Sequence, residues 1–116
     1  MKIAVTSTGD SIESHMDARF GRCAFFAIIE IENGKIKSSD FIENEAATQS
    51  GGAGLVAARK IGDLNIQKVI TGNVGPNAFN VLNQLNVEVF RAEGTIKEVV
   101  EKFLENAGPS HFGMNQ

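Results

Sequence analysis

Two glycine-bearing stretches of the chain have the residue types and spacing of anion-binding turns. Gly72-Asn73-Val74-Gly75-Pro76-Asn77 follows a β-branched pair, and Ser50-Gly51-Gly52-Ala53-Gly54 follows a polar segment. Apolar residues at helical spacing come after both stretches. Because the first N–H groups of a helix have no intrahelical acceptor, each stretch predicts a place where backbone donors meet an anion. The alternative is a tight turn that binds no ligand.

Two arginines flank Phe20-Gly21 and supply the positive charge that such a site needs. A guanidinium group makes forked hydrogen bonds to oxyanions. Two solvated charges are the alternative interpretation. We expect Gly75 to need a conformation or a close approach that a β-carbon would obstruct. The predicted cofactor-binding residues are Arg19, Gly21, Arg22, Ser50, Gly51, Gly52, Gly72, Asn73, Gly75 and Asn77.

Soft and imidazole side chains are few, and they do not have the paired spacing of a structural zinc site. We predict His15 and Met16 as weak metal contacts, with a solvated histidine as the alternative. His111 and Met114 lie in the final residues of the sequence. Cys23 is a lone cysteine that enters an apolar run, which is typical of a small buried hydrophobe. We therefore do not expect it to act as a nucleophile.

Catalytic motifs are missing from the sequence. Neither glycine stretch continues into the Gly-Lys-Ser/Thr of a phosphate-binding Walker loop, and Gly51-Gly52-Ala53-Gly54 has only part of a dinucleotide-binding motif. The first predicted strand carries no acid, whereas two-metal nuclease chemistry needs clustered carboxylates. We predict that the protein is not an enzyme and has no catalytic residues.

Composition limits the other classes. The 116 residues suit one domain, predicted over residues 1–106, and the small polar residues at 107–116 predict a flexible tail. The net charge of −3 argues against non-specific nucleic-acid binding. No 18-residue apolar run is present, so we expect no membrane span. One cysteine cannot form an internal disulfide, which fits the cytoplasm.

Hydrophobic periodicity and turn residues predict an α/β fold. An antiparallel hairpin turns at Asn33-Gly34, and a helix and then two strand–helix units come later. The predicted order is an antiparallel β1-β2-β3 followed by α-β-α-β-α, which gives a five-stranded mixed sheet flanked by helices. The strands are predicted at 2–7, 24–32, 35–43, 68–71 and 87–91, and the helices at about 50–62, 76–86 and from Thr95.

Four short motifs occur in an order and spacing that resemble one known family. They are 19–26 (RFGRCAFF), Glu43-Asn44, 50–54 (SGGAG) and 72–78 (GNVGPNA). The chain is similar, over residues 1 to about 104, to the small stand-alone proteins of the dinitrogenase iron–molybdenum cofactor biosynthesis family. The resemblance implies a ribonuclease H-like fold without the nuclease acids.

The same resemblance implies a function. Members are prokaryotic, non-catalytic carriers or accessory proteins for an iron–molybdenum or related metal–sulfur cluster or its precursor. The cluster-assembly proteins are then the expected partners. A metal-free regulatory or interaction domain, which binds a protein partner or a small anion, is the alternative function.

Overall fold

The first strand of the chain is the centre of a five-stranded mixed sheet, and this confirms the predicted fold. The computed structural model describes residues 1–106, so the predicted tail at 107–116 lies outside the described residues. The sheet order is β3-β2-β1-β4-β5, with β1 antiparallel to β2 and parallel to β4. The strands are β1 (Lys2–Ser7), β2 (Phe25–Glu32), β3 (Lys35–Glu43), β4 (Lys68–Thr71) and β5 (Glu88–Arg91).

Helices cover both faces of this sheet. The helices are α1 (Ala53–Asp63), α2 (Pro76–Gln84) and α3 (Ile96–Asn106), with a short 3₁₀ helix at Glu45–Thr48. Alternate residues of β1 pack into the two hydrophobic cores, one on each face of the sheet, because successive side chains of a strand point to opposite faces. Ala4 packs in the core that includes α1 and α2, and Ile3 and Val5 pack in the core that includes α3.

Local chemistry explains most of the element boundaries. Asn33 and Gly34 both have positive φ angles, of 55° and 74°, which is the geometry of the tight hairpin between β2 and β3. Thr95 and Glu98 form a capping box at the start of α3, the helix predicted from Thr95. The Glu98 N–H donates to Thr95 Oγ1 at 3.1 Å, and the Thr95 N–H donates to Glu98 Oε1 at 3.0 Å.

Several boundaries differ from the predictions by one to three residues, because β2 begins at Phe25, α1 at Ala53 and β5 at Glu88, and α2 ends at Gln84. Gly62 does not end α1, which continues to Asp63, and Asn65 takes the left-handed conformation with φ of 58°. A β-carbon on Gly62 would lie 2.6 Å from Leu85 Cδ1, so this exposed leucine side chain would have to turn away. The predicted loop after β3 contains the 3₁₀ helix, which Asn44 caps by accepting from the Ala46 N–H at 3.1 Å. None of the helices in residues 1–106 is long and apolar enough to cross a membrane.

Candidate anion-binding cleft

A cleft of about 390 Å³ opens where three distant chain segments meet beyond the carboxyl end of β4. The segments are the loop before β2, the start of α1 and the start of α2. Open α/β sheets bind ligands in this kind of crevice. The predicted residues that line the cleft are Arg19, Gly21, Arg22, Gly52, Asn73, Gly75 and Asn77, and they are joined by Phe20, Ala53, Gly54, Leu55, Pro76 and Ala78.

Both helices that open into the cleft begin without a side-chain cap. Gly52 is the N-cap of α1 and has a φ of 70°, which favours glycine, and Gly75 is the N-cap of α2. The first backbone donors with a helical acceptor are Val56, to the Gly52 oxygen, and Phe79, to the Gly75 oxygen. The earlier N–H groups of each helix therefore lack a partner within their helix, and no acidic residue lies in either first turn.

Small residues bring the three segments into direct contact. A β-carbon on Gly21 would lie 2.8 Å from the Gly54 nitrogen and 2.9 Å from the Gly54 Cα. A β-carbon on Gly54 would in turn lie 3.1 Å from the Ala78 Cβ. The loop thus packs on the first turn of α1, and α1 packs on α2, through backbone and methyl groups.

The prediction that Gly75 needs the absence of a β-carbon is wrong. Gly75 has an ordinary φ of −68°, and no heavy atom lies within 4 Å of the place its β-carbon would take. The glycine of this turn that has no room for a β-carbon is Gly72, three residues earlier. A β-carbon on Gly72 would lie 2.7 Å from the Ala18 Cα, so the chain crosses itself at Gly72.

Arg19 is held at the cleft by an aspartate. Its Nε and Nη2 each donate to one carboxylate oxygen of Asp17 at 3.2 Å, and its backbone N–H donates to Asp17 Oδ1 at 2.9 Å. Burial alone would raise the pKa of Asp17, but these hydrogen bonds outweigh it and lower the pKa. The Arg19 side chain is 67% exposed and the Asp17 side chain only 9%. A buried carboxylate therefore holds an arginine that stays accessible to solvent.

Arg22 supports the neighbouring loop. Its Nη1 donates to the carbonyl oxygens of Ala47 and Gln49, at 2.9 Å and 2.7 Å. These carbonyls lie at the end of the 3₁₀ helix, where a cation is favourable. Both predicted arginines are therefore at the cleft, and both already have intramolecular partners. Ser50 and Gly51 are exposed residues outside the cleft lining, and Gly72 lines a neighbouring groove.

Asn44 is a supporting residue that the sequence reasoning did not select as part of the site. Its buried side-chain amide donates to the carbonyl oxygens of Gly21 and Cys23, at 3.1 Å and 2.9 Å. It thereby fixes the loop that carries both arginines. The Glu43-Asn44 motif drew attention to this position, but only the tertiary structure shows what the amide contacts.

Cys23 is buried in the core behind the cleft, as predicted. Its thiol donates to the Phe20 carbonyl oxygen at 3.3 Å. Burial, with a smaller effect of the Asp17 charge, raises the pKa of Cys23 to about 12. The thiolate is the form that binds metals and attacks electrophiles, so burial and the raised pKa both disfavour reaction of this cysteine at neutral pH.

The predicted metal contacts lie in different surroundings. His15 is exposed, whereas Met16 is buried against the α3 side of the sheet. Both are in a bridge-paired extended segment, where successive side chains point to opposite sides. Among residues 1–106, no group of three His, Cys, Asp or Glu side chains is placed to hold a metal ion. Metal contact by His15 and Met16 stays a prediction.

Comparison with known proteins decides the family. The family model described as dinitrogenase iron-molybdenum cofactor matches residues 1–106. The chain belongs to this dinitrogenase iron–molybdenum cofactor family. The resemblance carried by the four sequence motifs is thereby confirmed.

Relatives of this family member share most of its length. An uncharacterized protein of Methanocaldococcus jannaschii is 40% identical over 106 residues, which is 90% of this chain and 86% of the relative. The apo form of the orange protein from Desulfovibrio gigas has a TM-score of 0.83 at 33% identity, covering 90% of this chain and 87% of that one. A putative NifB protein from Thermotoga has a TM-score of 0.73 at 30% identity, with the same coverage.

Proposed function

We propose that this protein is a non-catalytic carrier that holds an anionic iron–molybdenum or related metal–sulfur cluster, or its precursor, in the cleft without a covalent bond. The observation that carries the proposal is the convergence of two uncapped helix starts on one cleft with Arg19 and Arg22 at its edge. Membership of a family linked to the iron–molybdenum cofactor supports the same ligand class.

Electrostatics favours an anion at this place. Each helix start carries roughly half a positive elementary charge. The first turns contribute no carboxylate, so nothing in them competes with an anionic ligand for the free N–H groups. Asp17 is an acid close to the cleft lining, and its charge is already paired with Arg19.

The thiol chemistry of the protein favours non-covalent retention. Cysteine-held iron–sulfur clusters usually use four thiolates, and this chain has one cysteine, which is buried with its pKa raised to about 12. Backbone N–H groups at Gly54 and Asn77 are the kind of donors that would bind cluster sulfides instead. Neither His15 nor Met16 lines the cleft, but Met16 lines the neighbouring groove, so a weak soft contact would be made there.

The proposal places the carrier in the cytoplasm of a prokaryote. There it receives a cluster or precursor from assembly proteins and passes it to another of them, without binding nucleic acid or a membrane. The net charge of −3 fits that setting, because it disfavours non-specific binding to nucleic acid.

Anaerobic reconstitution tests the proposal directly. The purified protein is incubated with iron, sulfide and tetrathiomolybdate, separated by gel filtration, and analysed for metal and for visible absorption. Amino-acid side chains do not absorb in the visible, and this chain, without Trp or Tyr, absorbs little even near 280 nm, so absorption that elutes with the protein reports a bound chromophore. We expect metal to elute with the wild-type protein and to be lost progressively as salt increases, because screening weakens exposed charge pairs.

Two variants separate electrostatic from thiolate retention. Cys23→Ser should keep most of the metal, whereas the double variant Arg19→Gln/Arg22→Gln should lose much of it. Complete loss in Cys23→Ser, with an unchanged fold by circular dichroism, would replace the electrostatic mechanism with thiolate ligation. Absence of metal on the wild-type protein would reject the carrier function.

One observation favours the alternative, a metal-free domain that binds a small anion or a protein partner. Arg19 and Arg22 are both engaged within the chain, so the free N–H groups of α1 and α2 could serve a small anion without them. Titration calorimetry with inorganic phosphate and sulfate distinguishes the two functions. Binding of these ions to a protein that takes up no thiomolybdate would favour the alternative.

A further inference from the structure

A second groove lies beside the cleft, at the carboxyl ends of β4 and β5. Its volume is about 650 Å³, and its lining includes Ala18, Gly72, Ala92 and Arg91. Asn73 lines both the groove and the cleft, so the two cavities are neighbours across one residue. The small side chains leave room for a ligand that extends from the cleft.

Arg91 is the cation of this groove, and it differs from the two arginines of the cleft. Arg19 is paired with Asp17, and Arg22 is bound to two carbonyl oxygens. The exposed guanidinium of Arg91 makes no hydrogen bond or ion pair with any residue in 1–106. Arg91 ends β5 in register with Thr71, next to the Gly72 crossing.

We propose that the groove extends the cluster site and that Arg91 is the residue that binds the outer, anionic edge of the cargo. This inference rests on the proposed carrier function. Arg19 has two of its guanidinium nitrogens and its charge committed to Asp17, and Arg22 has Nη1 committed to two carbonyl oxygens. Arg91, by contrast, has all of its guanidinium donors available within residues 1–106. An unpaired guanidinium is also the stronger attractor, because no neighbouring carboxylate offsets its charge within contact distance.

Glu93 allows a second test of the proposal, because its charge is opposite to that of Arg91. Glu93 lines the same groove as Arg91 and is exposed. An anionic cargo that reaches Arg91 must also approach Glu93, which repels it. Removing the charge of Arg91 should therefore weaken binding, and removing the charge of Glu93 should strengthen it.

The experiment measures the affinity of the whole chain for tetrathiomolybdate, with and without iron, by visible absorption at two salt concentrations. Arg91→Gln is compared with Arg59→Gln, which makes the same charge change on the exposed face of α1, away from the lining of the cleft and of the groove. We expect about a threefold to tenfold loss of affinity for Arg91→Gln, almost none for Arg59→Gln, and recovery of most of it in Arg91→Lys. Glu93→Gln should bind up to about threefold more tightly.

The outcomes separate this inference from the function on which it rests. If the wild-type protein binds the probe and Arg91→Gln behaves like Arg59→Gln, the groove is not part of the site and the carrier function stands. If the wild-type protein does not bind the probe at all, the carrier function is rejected, and the role of Arg91 with it.

Discussion

Gly21 and Gly54 touch backbone to backbone, and this contact fixes the arginine-bearing loop against the first turn of α1. A β-carbon on Gly21 would lie 2.8 Å from the Gly54 nitrogen, one of the free donors at the helix start. The contact therefore sets the distance between the two arginines and the backbone donors. A larger side chain at either position would push the arginine-bearing loop and the helices of the cleft apart.

Gly21→Ala should destabilise the protein by about 1–3 kcal/mol, because the added methyl group has backbone atoms as its neighbours and these cannot rotate away. Cargo retention should fall as well, since the loop must move off α1. Urea denaturation and metal analysis measure the two effects. Gly51→Ala is the matched control, because Gly51 has neither a positive φ nor a heavy atom within 4 Å of the added carbon. Equal stability of the two variants would show that the loop yields easily.

Gly75→Asp should stabilise the fold and weaken cargo binding at the same time. The backbone of Gly75 is already extended, as an N-cap requires, and it has space for a side chain. An aspartate would cap α2 and complement its dipole, for a gain of about 0.3–1 kcal/mol. The same carboxylate would occupy the free donors and repel an anion.

Gly75→Asn provides the control for charge, since it offers a similar cap without the negative charge. Thermal unfolding and thiomolybdate binding are measured on both variants, with the aspartate expected to bind at least about tenfold less than the asparagine. Gly72→Ala should instead lower the melting temperature, because of the contact with Ala18. Undiminished binding by Gly75→Asp would mean that the cargo does not meet the start of α2.

The raised pKa of Cys23 predicts that the protein loses stability at alkaline pH. Its pKa is raised to about 12 in the folded protein, against about 8.5 for a free thiol. The unfolded chain therefore releases a proton between these values while the folded chain keeps it, and stability falls as pH rises. The slope approaches about 1.4 kcal/mol per pH unit.

The measurement compares urea denaturation of the wild type and of Cys23→Ala at pH 8 and at pH 10.5. Other groups titrate alike in both proteins, so only the difference between them is interpreted. We expect the stability advantage of the wild type to shrink at the higher pH. A difference that stays constant would show that the thiol is not shielded from ionisation in the folded state.

Asp17→Asn should weaken the fold and strengthen cargo binding. The carboxylate holds Arg19, and the Asp17 backbone oxygen accepts from the Thr6 hydroxyl at 2.5 Å, so the residue ties the loop to β1. Loss of the charge should cost about 1–2 kcal/mol at pH 7. Because the pKa of Asp17 is lowered on folding, this stabilisation exists above about pH 4 and disappears as pH falls through the folded value.

The effect on binding has the opposite sign, because Asp17→Asn frees the guanidinium of Arg19 for the cargo. Equilibrium denaturation at pH 7 and pH 3 and thiomolybdate affinity at pH 7 test both parts. Unchanged affinity, with the expected loss of stability, would show that Arg19 does not meet the cargo and serves only to position the loop.

The order of the elements and the glycine-rich helix starts could be predicted from the sequence. Pattern and turn chemistry are local, and Asn33-Gly34, Pro76 and the Thr95–Glu98 pair each act within a few residues. These features predict the mixed sheet, and the residues selected from the two glycine stretches and the arginine segment include seven of the thirteen that line the cleft.

What each glycine is for could not be predicted, because the reason lies in another segment of the chain. A β-carbon on Gly62 would meet the side chain of Leu85, one on Gly72 would meet the backbone of Ala18, and Gly75 has no such neighbour. The partners of Arg22 and the contacts of Asn44 are likewise made across more than 20 residues of sequence. Periodicity carries no information about contacts at that range.

The three segments of the cleft come from distant parts of the chain and meet only because β1 pairs with β4 and the loop packs on α1. A cargo that contacts all three segments holds them together and stabilises the fold. At a free concentration of a hundred times its dissociation constant, it would add about 2.7 kcal/mol to the free energy of unfolding. Conversely, moving any one of the three segments away removes part of the binding site and weakens the hold on the cargo. A receiving protein that pulled only the arginine-bearing loop away from α1 would therefore be enough to unload the carrier.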